Sequence, residues 1–306
     1  AQALGEALAT VHPDAPHLPW VLVLLVLVGA GSLLRHTARW VVGAWLLLSA
    51  GAAMGQDKAP PAPSPTPATV RPRLTLAAAS DMKFALDGLL KAFRAQHPEA
   101  DIEATYGSSG NFLAQLSQGA PFDVFLSADV AYPRKLVEQG LVIDDAVFAY
   151  AVGRLVVWVP RDSPLDVEKK GLEVLRDPAA RRIAIANPQH APYGRAAQAA
   201  LESQGLAALV KERLVLGENI AQTAQFVQSG AADVGLLAMA LALAPAMKEA
   251  GRYAEVPLTA YPRMDQGGAI LKSTKQPALA RQFRDMLLSA EGKELLRGYG
   301  FYLPGE

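Results

Sequence analysis

From Arg73 onward, short apolar runs alternate with stretches whose apolar residues recur at helical spacing. Strands alternating with helices call for parallel βαβ units, which narrows the fold to an α/β class. Arg73 to Ala79 reads as a strand buried on both faces. Met82 to His97 places Met82, Ala85, Leu86, Leu89, Leu90 and Phe93 on one helical stripe, which Pro98 ends. The alternation continues with a strand at Asp101–Tyr106, a helix at Asn111–Gln118, a strand at Asp123–Ser127 and a helix at Ala131–Gln139, closed by Gly140. Arg154–Val159 begins a second set, with further strands at Arg182–Ala186, Leu214–Leu216 and Asp233–Ala238 and helices reaching Gln204 and Ser229. A strand at Gly267–Leu271 and helices at Gln276–Ala290 and Glu291–Gly298 complete the pattern. The expected architecture is two α/β halves joined by extended crossings near residues 148–158 and 255–268.

The segment before Arg73 is of another kind. Leu18–Leu34 is an apolar run of 17 residues, and Trp40–Met54 is a second. Arg35, Arg39, the apolar core Trp40–Leu48 and the small residues Ser49–Ala53 follow the order of a secretory signal, with residues 35–52 as the signal and cleavage after Ala52. Leu18–Leu34 is either a membrane anchor, at the short end of what a span needs, or read-through upstream of the start. Residues 1–57 are therefore read as hydrophobic leader or anchor. Residues 58–72 read as a stiff extended linker, with five prolines between Ala59 and Pro67. Residues 73–306 form the folded part, divided into one lobe of about 73–150 plus 262–306 and another of about 151–261.

Charge narrows the function. Lys plus Arg and Asp plus Glu both number 29, and without residues 1–57, which hold two of the first and three of the second, 27 face 26. So balanced a chain has no general electrostatic handle for nucleic acid or an acidic membrane surface. There is no cysteine, which excludes disulfides, zinc–thiolate sites and a cysteine nucleophile.

Four strand-to-helix corners carry the candidate chemistry: Ser80, Gly107-Ser108-Ser109-Gly110, Pro192-Tyr193-Gly194 and Asn219-Ile220. Ligands of open α/β sheets sit beyond the carboxyl ends of the strands, where helices begin. Each helix start offers free N–H donors and the positive end of a dipole. Several aimed into one cleft hold a dianion without a lysine or arginine. A serine before a helix is also an ordinary N-cap, and the residues of any single corner leave both readings open.

Taken in order, Ala77-Ala-Ala-Ser80, Tyr106-Gly-Ser-Ser-Gly110, Gln118 to Asp129, Asn187 to Gly194, Gly217-Glu-Asn-Ile220 and Ser229 to Gly235 resemble the periplasmic molybdate-binding proteins of ABC importers. The resemblance spans about residues 73 to 303. It implies a two-lobed periplasmic binding protein fold of type II, each lobe a mostly parallel sheet flanked by helices, with the ligand in the cleft between lobes. It implies molybdate or tungstate as ligand, no cofactor and no enzymatic activity. The implied partners are an ABC transporter permease and a separate ATPase subunit, and the implied location is the periplasm. Carried over by position, the anion's oxygens meet the hydroxyls of Ser80 and Ser109 and the main-chain N–H groups of Tyr193 and Ile220. The molybdenum itself, held as an oxyanion, touches no side chain. Many members place a tyrosine where this chain has Ala238, so either Tyr193 supplies a hydroxyl or the site has one donor fewer. Asp81 is expected to turn its carboxylate away and offer only its N–H.

Other readings are weaker. Asp123 and Asp129 flank a strand without a third metal ligand nearby. A serine hydrolase lacks the G-x-S-x-G elbow, and His190, between two prolines' reach, has no sequence link to Ser109. No phosphate loop is present, so an ATPase would be another chain. A membrane-tethered oxyanion sensor, and a binding protein for sulfate or another tetrahedral oxyanion, remain as alternatives.

Overall fold

A computed structural model of the chain describes residues 71–306; the leader and signal expected in residues 1–57, and the linker up to residue 70, lie outside the described residues. The strands are β1 (Arg73–Ala79), β2 (Asp101–Gly107), β3 (Val124–Ser127), β4 (Val142–Gly153), β5 (Leu155–Pro160), β6 (Ile183–Ala186), β7 (Leu214–Gly217), β8 (Val234–Ala238), β9 (Gly251–Glu255) and β10 (Met264–Leu271). The longer helices are α1 (Lys83–Gln96), α2 (Ser109–Ser117), α3 (Ala131–Glu138), α4 (Pro192–Ser203), α5 (Ile220–Gln228), α6 (Pro277–Leu288) and α7 (Ala290–Gly298).

The strands form two five-stranded sheets, ordered β2-β1-β3-β10-β4 and β7-β6-β8-β5-β9. Each is mixed, where a mostly parallel sheet was expected. In the first, β1 pairs parallel with β2 and β3, and β10 runs antiparallel to β3 and β4. In the second, β6 pairs parallel with β7 and β8, and β5 runs antiparallel to β8 and β9. The cause is the crossing chain: β4 ends at Gly153 and β5 begins at Leu155 in the other sheet, while the return runs from β9 to β10. Strands that enter a sheet from the far lobe come in against the direction of its βαβ units.

Each sheet is buried on both faces, as the apolar runs require. On one face of the first sheet Leu86, Leu89 and Phe93 of α1 meet Phe283 and Leu287 of α6 and Leu296 of α7. On the other, Phe112 and Leu116 of α2 pack with Phe125, Tyr132 and Leu136. The second lobe has its own core around Trp158, Ile183, Leu201, Val227 and Leu236. Each such large apolar side chain contributes about 1.5–3 kcal/mol by leaving water. The result is two firm platforms whose parallel strands all end at the cleft.

Those ends build the corners. After β1 the chain makes a 3-10 turn over Ser80–Met82 before α1, so the helix starts at Lys83, one residue after the expected Met82. The α2 helix begins at Ser109, two residues ahead of the expected start. Pro192 occupies the first turn of α4, where its missing N–H costs nothing. Asn219 caps α5 by accepting from Ala221 N and Gln222 N, both at 3.0 Å.

Candidate functional site

The four corners meet at one small cavity. Its wall includes Ser80, Asp81, Ser108, Ser109, Ala128, Tyr193 and Ile220, and the centre of a water-sized sphere has about 10 Å³ in which to move. Ser80, Ser109, Tyr193 and Ile220, which the sequence placed at four separate corners, therefore line a single space bounded by both lobes. All four residues are buried.

The N-cap question divides between neighbours. Ser108 is the cap of α2: its Oγ accepts from Asn111 N at 3.4 Å. Ser109, fully buried, accepts instead from Ala128 N at 3.0 Å, across the corner that follows β3. Its oxygen is thus held in place while the hydroxyl hydrogen is left to donate. Ser80 bridges the lobes, donating to Asn219 Oδ1 at 3.1 Å and accepting from Ala221 N at 3.3 Å. Asn219 Oδ1 already receives two N–H groups, so turning the Ser80 hydrogen into the cavity leaves Asn219 satisfied. Tyr193 and Ile220 stand in the first turns of α4 and α5, where main-chain N–H groups have no partner within the helix. The wall thus gathers hydroxyls and helix-start N–H groups, with no lysine or arginine among its residues.

Asp81 departs from expectation in part. Its carboxylate is turned onto Gln266, whose Nε2 donates to Oδ2 at 2.6 Å, yet it stays inside the protein, 1% exposed. Burial lifts it from the usual carboxylate range to about 6, a rise that donors on Gln266 and Tyr193 partly oppose. The Tyr193 hydroxyl belongs to the same cluster, with Gln266 Nε2 at 3.4 Å. It fits because residue 153 is glycine: a Cβ there would stand 2.5 Å from the hydroxyl. Burial first, and then the Asp81 charge, push the Tyr193 phenol well above its ordinary value. The hydroxyl of Tyr193 is thus engaged beside the crossing strands, and Ala238, fully buried at the end of β8, brings no hydroxyl of its own.

Around the cavity the lobes touch directly. Gly110 N donates to His190 O at 2.9 Å, Ser108 Oγ lies 3.0 Å from His190 Nδ1, and Asn111 Nδ2 donates to Glu218. His190 therefore does meet the serine corner, at Ser108, where sequence gave no link; this Ser108 oxygen is committed to capping α2 and the corner still lacks the hydrolase elbow. On the other side Asp129 pairs with Arg195 at 2.6 Å, and Asp123 accepts from Thr75 N at 2.6 Å, which accounts for both carboxylates. Among the described residues no group of His, Asp and Glu is arranged to hold a metal ion, and no helix is long and apolar enough to cross a membrane.

Asn219, Gln266, Ala128 and His190 were not singled out as site residues. Asn219 had a signal, an N-cap type at a corner. Gln266 had none, since its partner Asp81 lies 185 positions away.

Comparison with known proteins gives this arrangement a context. Residues 74–302 match the family model described as bacterial extracellular solute-binding protein. The molybdate-binding protein ModA of Rhodobacter capsulatus is 38% identical over 200 residues, covering 65% of this chain and 77% of the relative. The solved periplasmic molybdate-binding protein of Azotobacter vinelandii superposes with a TM-score of 0.71 at 35% identity, covering 76% of this chain and 99% of that one. The sulfate-binding protein SubI of Mycobacterium tuberculosis, at 16% identity and a TM-score of 0.62 over 76% of this chain and 88% of that one, shares the fold. The two-lobed type II architecture and these relatives make the chain a member of the bacterial extracellular solute-binding protein family, in the company of its molybdate-binding proteins.

Proposed function

We propose that this protein captures molybdate or tungstate outside the cytoplasm and presents it to the permease of an ABC importer whose ATPase is a separate subunit. The observation that carries the reading is the convergence of Ser80, Ser109, Tyr193 and Ile220 on one small cavity between the lobes. The two hydroxyls and the two main-chain N–H groups donate to the oxygens of the anion, and the starts of α4 and α5 add the positive ends of their dipoles. Enclosure between lobes removes water, which strengthens each of these contacts. In this reading the site binds and releases the anion unchanged and calls for no cofactor. Residues 35–52 direct the chain across the inner membrane into the periplasm, and residues 58–72 space the folded part from whatever precedes it.

Fixed donors set the size of anion that fits, so molybdate and tungstate bind far more tightly than the smaller sulfate. Calorimetric titration of the purified protein with the three anions tests this. Sulfate binding as tight as molybdate binding would remove the molybdate assignment and favour a sulfate carrier on the same fold.

A further inference from the structure

Asp81 sits where a charge is least welcome. It follows Ser80 directly, it lines the cavity, and it is 1% exposed. The cluster around it is short of hydrogen. Oδ2 accepts from Gln266 Nε2, but Asp81 Oδ1 and Gln266 Oε1 are both buried without a hydrogen-bond partner. Buried acceptors normally have donors. The Tyr193 hydroxyl and the main-chain N–H groups of Asp81 and Met82 also favour the ionised carboxylate, but Gln266 Oε1 stays unmatched. One proton on the carboxyl corrects the count.

Building on the proposed oxyanion function, we propose that Asp81 is the proton acceptor of the site: each dianion is taken up together with one proton, held on the Asp81 carboxyl. A dianion beside an ionised, buried carboxylate is repelled, and no lysine or arginine in the cavity wall offsets that repulsion. Protonation removes it and turns an acceptor into a donor. The groups packed around Asp81 leave no other charge to do so. Gln266 of β10 is neutral, Tyr193 of α4 and Tyr150 of β4 are buried phenols held neutral far above neutral pH, and Ser80 and Asn219 do not titrate. Burial has already brought the carboxyl to about 6, and the anion's charge moves it further in the same direction.

The consequence is a defined pH dependence. Below about pH 6 the carboxyl already carries its proton and affinity is flat; above it, the proton must come from solvent, and affinity falls toward tenfold per pH unit. At pH 7 about 0.9 proton, and at pH 8 close to one, accompanies each molybdate. Calorimetry in buffers of different ionisation enthalpy counts these protons on the wild-type protein with no variant required. Asp81→Asn keeps the shape and supplies a non-titrating N–H donor, so its proton uptake drops to near zero and its affinity becomes flat from pH 6 to 8.

Wild-type protein that binds molybdate at pH 7 and 8 without taking up a proton overturns the inference and leaves the molybdate assignment standing. Uptake that survives in Asp81→Asn also overturns it, by placing the proton elsewhere. No binding of molybdate or tungstate at all removes the assignment itself, and this inference with it.

Discussion

Gly110 N donates a 2.9 Å hydrogen bond to His190 O across the cleft, main chain to main chain, from the first turn of α2 to the loop ahead of α4. The approach is so close that a Cβ on residue 110 would lie 2.6 Å from that oxygen and 2.9 Å from the His190 Cα. Backbone atoms cannot swing aside as a side chain does. Gly110→Ala should therefore leave each lobe folded and prevent them from meeting at this point. Molybdate affinity is expected to fall at least tenfold with little change in melting temperature. An alanine variant that binds like the parent would mean that this contact plays no part in enclosing the anion.

Ser109→Ala and Ser80→Ala separate binding from support. Each removes a hydroxyl donor to a charged ligand, a loss of about 1.5–3 kcal/mol, or roughly ten- to a hundredfold in affinity. Ser109→Ala also strips the acceptor from Ala128 N, a buried group, so it should lower stability by about 1–3 kcal/mol as well. At Ser80→Ala, Ala221 N keeps Asn219 Oδ1 as acceptor and the stability loss should be smaller. Denaturant melts beside calorimetric titrations read both quantities, and equal destabilisation with unchanged binding would move the anion site elsewhere.

Asp81 also leaves a signature without ligand. Its carboxyl stands at about 6 in the folded protein and near 3.9 when unfolded, so the native state holds the proton more tightly. That stabilisation is complete below about pH 4 and is lost as pH rises through about 6. Two units correspond to about 3 kcal/mol. Measured against Asp81→Asn in urea, the wild-type protein should lose most of that relative stability, roughly 2 kcal/mol, between pH 4 and pH 7. A difference that stays constant over this range would show that Asp81 does not titrate in the fold.

Capture between lobes needs a hinge, and the chain crosses between the sheets at two places, 153–155 and 255–264. If molybdate favours the enclosed arrangement, the compact form grows in proportion to occupancy. Small-angle scattering should show the radius of gyration falling as molybdate is added. An unchanged value at saturation would rule out a mechanism in which binding itself closes the cleft.

Much of this was readable from the chain because the information is local. The apolar runs of β1, β3, β5, β6 and β8 and the stripe of α1 lie within single elements, and so do the corners that hold Ser80, Ser109, Tyr193 and Ile220. What sequence did not yield depends on partners far away. β4 was read only as a crossing, because Asp144 and Asp145, with φ of 57° and 49°, interrupt its apolar alternation while β10 pairs around the irregularity. β9 is a short edge strand that opens on Gly251, with little apolar content to mark it. Ser108 rather than Ser109 takes the capping role, a choice made by Ala128 from another corner. The Asp81–Gln266 pair joins residues 185 positions apart, and the rise of the Asp81 carboxyl toward 6 follows from burial that no local pattern reveals.

The absence of lysine and arginine from the cavity wall has a kinetic side. With 27 basic and 26 acidic residues after residue 57, the folded part projects almost no net field, so an incoming dianion is not drawn in from a distance and its arrival rate should barely respond to ionic strength. Tight retention must then come from slow escape. Escape requires the contacts from Gly110 to His190 and from Ser80 to Asn219 to break before the anion can leave. If the proposed site holds the anion, the lifetime of the loaded state is set by how often the two lobes part, and a permease that pried them apart would control release without ever touching the anion.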